Sequence, residues 1–316
     1  MSHCMELNNG EKMPSMGLGT WNSKTGEVEN AVKVALNSGY RLLDCALCYG
    51  NQKEIGNALK EVFNEGKIKR EDVFITTKLW NSFHSFERAK KSIDDMLAEM
   101  QLDYFNLLLI HWPQAYEEGG DLFPMEADGV HVKKADVDYL ETWKALEEAY
   151  KAKKVRAIGL SNFNHKQIQR VIDNAEVKPS VLQVELHPYF QQKKIRDFCK
   201  EKNLAITAYS PLGNPNMPIF RNKGDPNILE DPTIVKIAAA HSKTPAQVCL
   251  RWAIQNNISV IPKSSSEKRI KENFDIFNFT LSAEEVKQID GLDRNWRIVS
   301  VTRDNTHKHY PFNEEY

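Results

Sequence analysis

Apolar runs too short for helices recur along this chain, each bounded by polar residues. Residues 16–19, 41–44, 73–78, 106–111, 155–161, 181–185, 205–210 and 259–262 read as strands, apolar enough to be buried on both faces. Between them lie stretches with helical spacing of apolar positions: 27–38, 52–65, 86–100, 137–152, 165–174, 193–201 and 233–240. Strands that alternate with helices pair in parallel through right-handed crossovers. Ahead of them, Asn9-Gly10 between the short flanks of residues 6–14 predicts a small hairpin.

Eight such units close naturally into a barrel, so the predicted fold is α/β, a (β/α)8 TIM barrel with an N-terminal β-hairpin. The 316 residues would suggest two domains by length alone, but parallel barrels of about 250 residues fold as one unit. With no low-complexity linker in view, residues 1–316 read as a single barrel domain. Three long segments, 113–136, 211–232 and the tail 292–316, follow strand C-termini or return past them. Long loops at the C-terminal face of a barrel usually build the substrate site.

The polar residues at the strand ends carry the chemistry. Asp44, Lys78 and His111 each follow an apolar run, and Tyr49 lies just beyond the first of these. Singly, an Asp after a strand reads as a cap, a Lys as a solvated side chain and His-Trp-Pro as the close of a core strand. Together they form a set. A buried Lys78 needs a partner such as Asp44, and a charged Lys78 would draw the Tyr49 hydroxyl down from a usual pKa of about 10 toward working pH. His111 would polarise a substrate carbonyl, so the set points to carbonyl reduction.

Two other motifs lead nowhere. Tyr49-Gly50-Asn51-Gln52-Lys53 matches the Tyr-x-x-x-Lys of short-chain dehydrogenases, but Tyr150-Lys151-Ala152-Lys153-Lys154 does too, and no Gly-x-Gly-x-x-Gly opens a βα unit. Cys45-Ala46-Leu47-Cys48 has redox or zinc spacing without the second pair that a structural zinc needs, so no metal is expected.

Bulk properties narrow the partners. Lys+Arg 42 against Asp+Glu 43 leaves a net charge of -1, giving no reason to expect nucleic acid or an anionic membrane. No apolar run approaches the length of a spanning helix, the first residues lack the pattern of a secretory signal, and five scattered cysteines suit a reducing compartment. A cytoplasmic protein is expected.

At this point the chain resembles the aldo-keto reductases, closest to the aldose reductase-like group. The resemblance rests on residues 39–51 (GYRLLDCALCYGN), 107–113 (LLLIHWP), 159–163 (GLSNF), 183–189 (QVELHPY), 209–213 (YSPLG) and 261–264 (IPKS). It implies reduction of aldehydes and ketones with NADPH by a monomer acting on a small-molecule carbonyl substrate. Tyr49 would be the proton donor, tuned by Lys78 and Asp44, with His111 placing the carbonyl. The cofactor would stack on Tyr209 and have its carboxamide held by Ser161, Asn162 and Gln183. Its phosphates would meet Lys263, Ser264 and Arg269, its adenine Glu272 and Asn273, and its remainder Thr20, Trp21, Asp44, Ser210 and Leu212. The run Lys263, Ser264, Ser265 before a helix start at residues 267–269 makes an independent physical case for an anion site. Tyr49 and His111, with Trp21, Trp80, Trp112 and Phe123, would bind substrate, and Trp296 would close the pocket or simply pack.

Departures from the family pattern include Leu42, Gln52, Cys48 beside Tyr49, and Val299 where a reactive Cys is often found. A thiol reagent, if it acts at all, is therefore expected at Cys48, whose reactivity would rise if Lys78 lowers its pKa. Asn22 and Asn216 replace a charged latch over the cofactor, implying faster release. Two alternatives remain open: a non-catalytic nucleotide-binding barrel, structural or channel-associated, and an enzyme working mainly as an alcohol or steroid dehydrogenase.

Overall fold

The computed structural model describes residues 3–215 and 218–314. The hairpin comes first: β1 (Cys4–Glu6) pairs antiparallel with β2 (Lys12–Pro14), and Gly10 turns between them at φ +85°. Eight parallel strands follow in sequence order, β3 (Leu18–Gly19), β4 (Leu42–Asp44), β5 (Phe74–Leu79), β6 (Phe105–Ile110), β7 (Val155–Ser161), β8 (Val181–Glu185), β9 (Ala205–Tyr209) and β10 (Ile258–Val260). Parallel bridges from Met16 to Val260 and from Gly19 to Lys263 join the last strand to the first and close the (β/α)8 barrel.

Helices α1 (Glu27–Asn37), α2 (Gln52–Asn64), α3 (Phe86–Met100), α4 (Tyr139–Lys151), α5 (His165–Asn174), α6 (Lys193–Glu201) and α7 (Pro232–Ala240) fall where the apolar spacing places them. Two more, α8 (Pro245–Gln255) and α10 (Ala283–Asp290), lie outside the stretches that the apolar spacing predicts, although each opens with a reciprocal Thr/Ser–Gln/Glu cap visible in the sequence. Between them, α9 (Glu267–Phe274) starts at the expected residue, capped by Ser266.

Apolar side chains of strands and helices form the main core, while Met5, Leu7 and Met13 of the hairpin plug the barrel floor against Leu42, Phe74 and Leu107. Leu42, unusual for the resemblance, is simply part of that floor. Several strands are shorter or shifted relative to expectation: Met16 holds only a single bridge, and His111, Ser210 and Pro262 lie past the regular ladder. Lys78 instead lies inside β5, its side chain buried. No helix among the described residues is long and apolar enough to cross a membrane.

Candidate active site

A cavity of about 980 Å³ opens at the C-terminal ends of the strands. Its inner end is built around Lys78, which is fully buried and lies behind the lining. Lys78 Nζ donates to Asp44 Oδ2 at 2.7 Å, to the Cys45 carbonyl at 2.9 Å and to the Tyr49 hydroxyl oxygen at 3.2 Å. An ammonium has three protons, and all three are placed. The other Asp44 oxygen accepts from Gln183 Nε2 at 2.8 Å, so the carboxylate is held from both sides.

Tyr49 stands on a single 3-10 turn, Leu47–Tyr49, which lifts it over the barrel mouth. Its oxygen accepts from Lys78, leaving its own proton for the cavity. Here the structure corrects the sequence expectation. Burial first, and then the Asp44 carboxylate, push the Tyr49 hydroxyl well above its ordinary pKa of 10.0 rather than toward neutrality. His111 meets Tyr49 edge-on at 5.8 Å and Trp80 at 5.1 Å. Burial, with Lys78 acting in the same direction, holds its imidazole well below the ordinary 6.5, so the ring is neutral near pH 7.

A second network adjoins this one. Asn162 Nδ2 donates to the His111 carbonyl at 3.0 Å and to Ser161 Oγ at 3.1 Å, while Asn162 Oδ1 accepts from the Tyr209 hydroxyl at 2.8 Å. Asn162 and Ser210 both have left-handed backbone (φ +62° and +50°), a strain that clusters at functional sites. Asn162, Gln183, Tyr209, Ser210 and Leu212 line the cavity. Thr20 and Ser161 do not: Thr20 Oγ1 donates to the Asp44 carbonyl at 2.8 Å, and Ser161 supports Asn162 from below.

Trp21, Trp80, Trp112 and Phe123 line the same cavity, and the rings of Trp80 and Phe123 lie 4.9 Å apart. Trp21 packs at 5.4 Å against Phe220 of the long segment after β9. Trp296 instead packs outside, against His187 and Tyr189. The far end of the cavity brings together Lys263, Ser264, Ser265, Arg269, Glu272 and Asn273. Although the Lys263 side chain is exposed, its partial desolvation beside the cavity lowers its pKa, with Glu27 opposing the shift and Arg269 adding to it. An anion seated between the two cations would relieve their repulsion.

Glu185 carries a role that sequence reasoning missed. Its fully buried carboxylate accepts from the backbone N–H of Ile298 and of Val299 (2.8 Å each) and pairs with His187 Nε2 at 2.9 Å. This clips to the barrel the tail segment whose Val299 and Val301 form the cavity wall. A strand-end Glu is visible in the sequence, but its partners in the tail lie 113 and 114 positions away.

The thiol expectation also changes. Cys48 lies in the cavity wall, but burial, outweighing Lys78, pushes its pKa up to about 12, so it is not an activated thiolate. Of the two latch positions, Asn22 lines the cavity and Asn216 lies outside the described residues.

Comparison with known proteins bears on this arrangement. The model of the Aldo/keto reductase family matches residues 15–294. The chain belongs to the aldo/keto reductase family. It is 45% identical to aldo-keto reductase family 1 member A1 of Cricetulus griseus, covering 100% of both chains, and 46% identical to the Bos taurus protein of the same name, covering 99% of each. A solved structure of the aldose reductase from Schistosoma japonicum superposes with a TM-score of 0.93 at 43% identity, covering 99% of this chain and 100% of that one. As a member of the family the chain is an oxidoreductase that uses a nicotinamide cofactor. The cavity fits such a group: one end offers amides and an aromatic ring, the other cations and a helix N-terminus.

Proposed function

We propose that this reductase converts aldehydes and ketones to alcohols with NADPH, Tyr49 supplying the proton. The observation that carries the reading is the chain Asp44–Lys78–Tyr49, with links of 2.7 and 3.2 Å, ending in a phenol that faces the cavity. When bound, the nicotinamide supplies the hydride. The remaining work belongs to side chains. His111 and Tyr49 place the carbonyl oxygen between two donors, and Tyr49 releases its proton as negative charge grows there. A phenol with a raised pKa suits this. It keeps its proton at neutral pH, yields it to an alkoxide, which is a far stronger base, and leaves a phenolate against the Lys78 ammonium.

Lys263, Ser264 and Arg269 would hold the 2′-phosphate, Glu272 and Asn273 would reach the adenine, Tyr209 would carry the ring, and Asn162 with Gln183 its carboxamide. Trp21, Trp80, Trp112 and Phe123 make an apolar wall suited to many carbonyls. We read residues 1–316 as one working unit, a cytoplasmic monomer. The intact Asp44–Lys78–Tyr49 chain favours an enzyme over a non-catalytic barrel, and the same residues serve alcohol or steroid oxidation when substrate supply reverses the reaction. NADPH absorbance followed with aldoses, short and aromatic aldehydes and steroid ketones defines the substrate range. Tyr49→Phe should bind NADPH nearly as the wild type does and lose about 10²-fold or more in turnover, the scale of a lost general acid. Wild-type turnover in that variant would refute the assignment.

A further inference from the structure

A neutral imidazole carries one proton: one nitrogen donates and the other accepts. If His111 is to donate to a carbonyl oxygen, the nitrogen facing the cavity must hold that proton. The opposite tautomer would aim a lone pair at the substrate's lone pairs. His111 lines the cavity, and among the described residues Nε2 has no protein partner. Nδ1 does have one: the Cys48 Sγ, 3.6 Å away and within reach of a sulfur hydrogen bond. Cys48 sits on the same 3-10 turn as Tyr49, so the turn that places the proton donor also places this thiol against the ring.

We propose that Cys48 is a positioning residue that donates its S–H to Nδ1 of His111 and thereby keeps the ring proton on Nε2, facing the carbonyl oxygen. The proposal rests on the carbonyl reduction proposed above. The thiol is equipped for this, since burial pushes its pKa up to about 12 and it keeps its proton at any working pH. The reverse arrangement, Nδ1–H toward sulfur, would spend the ring's only donor on a weak acceptor.

The test uses the whole protein labelled with ¹⁵N-histidine. Long-range ¹H–¹⁵N spectra distinguish the two tautomers, and His111→Gln identifies the signals of this ring. The wild type and Cys48→Ser, which keeps a hydroxyl donor, should show the Nε2–H tautomer. Cys48→Val should show a mixture, with kcat lower by about fivefold, the weight of one modest hydrogen bond, and Cys48→Ser should recover most of that loss. A proton on Nδ1 in the wild type, an unchanged tautomer in Cys48→Val, or a changed tautomer with unchanged kcat would each overturn the proposal. The spectra need no turnover. They therefore stand apart from the Tyr49→Phe test of the reaction itself.

Discussion

Lys78 shows how much a single residue rests on its neighbours. Burying an ammonium costs several kcal/mol, and here the offset comes from one carboxylate, one carbonyl and one phenol oxygen. Asp44→Asn should therefore destabilise the fold by about 3–5 kcal/mol, the cost of leaving a buried charge uncompensated, as read from urea unfolding. A loss under 1 kcal/mol would mean that water reaches the site. The pH dependence of reduction is set at the same scale. Tyr49 is held above 10.0 and His111 below 6.5, so the first keeps its proton as pH rises and the second stays neutral as pH falls. The kcat for reduction should be level from about pH 6 to 9, and an inflection near 7 would contradict these directions. Thiol reagents should label the exposed Cys4 before Cys48.

Among the elements, β7 and β8 each carry a close constraint. Gly159 lies where a Cβ would come within 2.4 Å of the Val181 carbonyl oxygen and 2.8 Å of Leu109 Cδ2. Backbone in a ladder cannot give way easily, so Gly159→Ala should cost about 1–3 kcal/mol in thermal or urea unfolding. At the end of β8, Glu185 holds the tail by two backbone N–H groups. Glu185→Ala should free that segment, raising KM for apolar aldehydes severalfold and exposing the tail to limited proteolysis, with the Kd for NADPH within about twofold of wild type. Val301, β-branched yet at φ +47°, marks the same segment as strained and held from outside.

The whole molecule places one cavity between two charged regimes, a buried reaction centre and a cationic rim. Lys263→Met or Arg269→Met should weaken NADPH about tenfold and NADH little, the lower end for charge-assisted bonds because both side chains are exposed. Equal losses would place the 2′-phosphate elsewhere. Global stability should fall in acid. Burial holds His84 at about 3 in the fold against 6.5 when unfolded, so below 6.5 the unfolded chain takes up a proton that the fold refuses. By pH 5 this amounts to about 2 kcal/mol, and His84→Leu should flatten the slope of the urea midpoint between pH 7 and 5.

The order of strands and helices is legible in the chain because it depends on local periodicity: a run such as Leu107-Leu108-Leu109-Ile110 has few options but a buried parallel strand. The motif at residues 39–51 likewise declared Asp44 and Tyr49. Strand ends were less legible, since whether Lys78 or His111 falls inside the ladder depends on pairing with a neighbouring strand. Only the folded barrel decides what the side chains feel. Tyr49 stands near a cation, and from sequence its pKa should fall, yet burial and Asp44 raise it. Cys48, beside a cation, reads from sequence as a thiol with a lowered pKa, whereas in the fold desolvation outweighs Lys78 and raises it. Glu185 looked like one more strand-end residue, and its partners 113 and 114 positions on make it the clip of the tail. Local pattern sets which element forms. Desolvation and contacts between distant residues arise only when the elements close on one another, and they set protonation and the shape of the pocket.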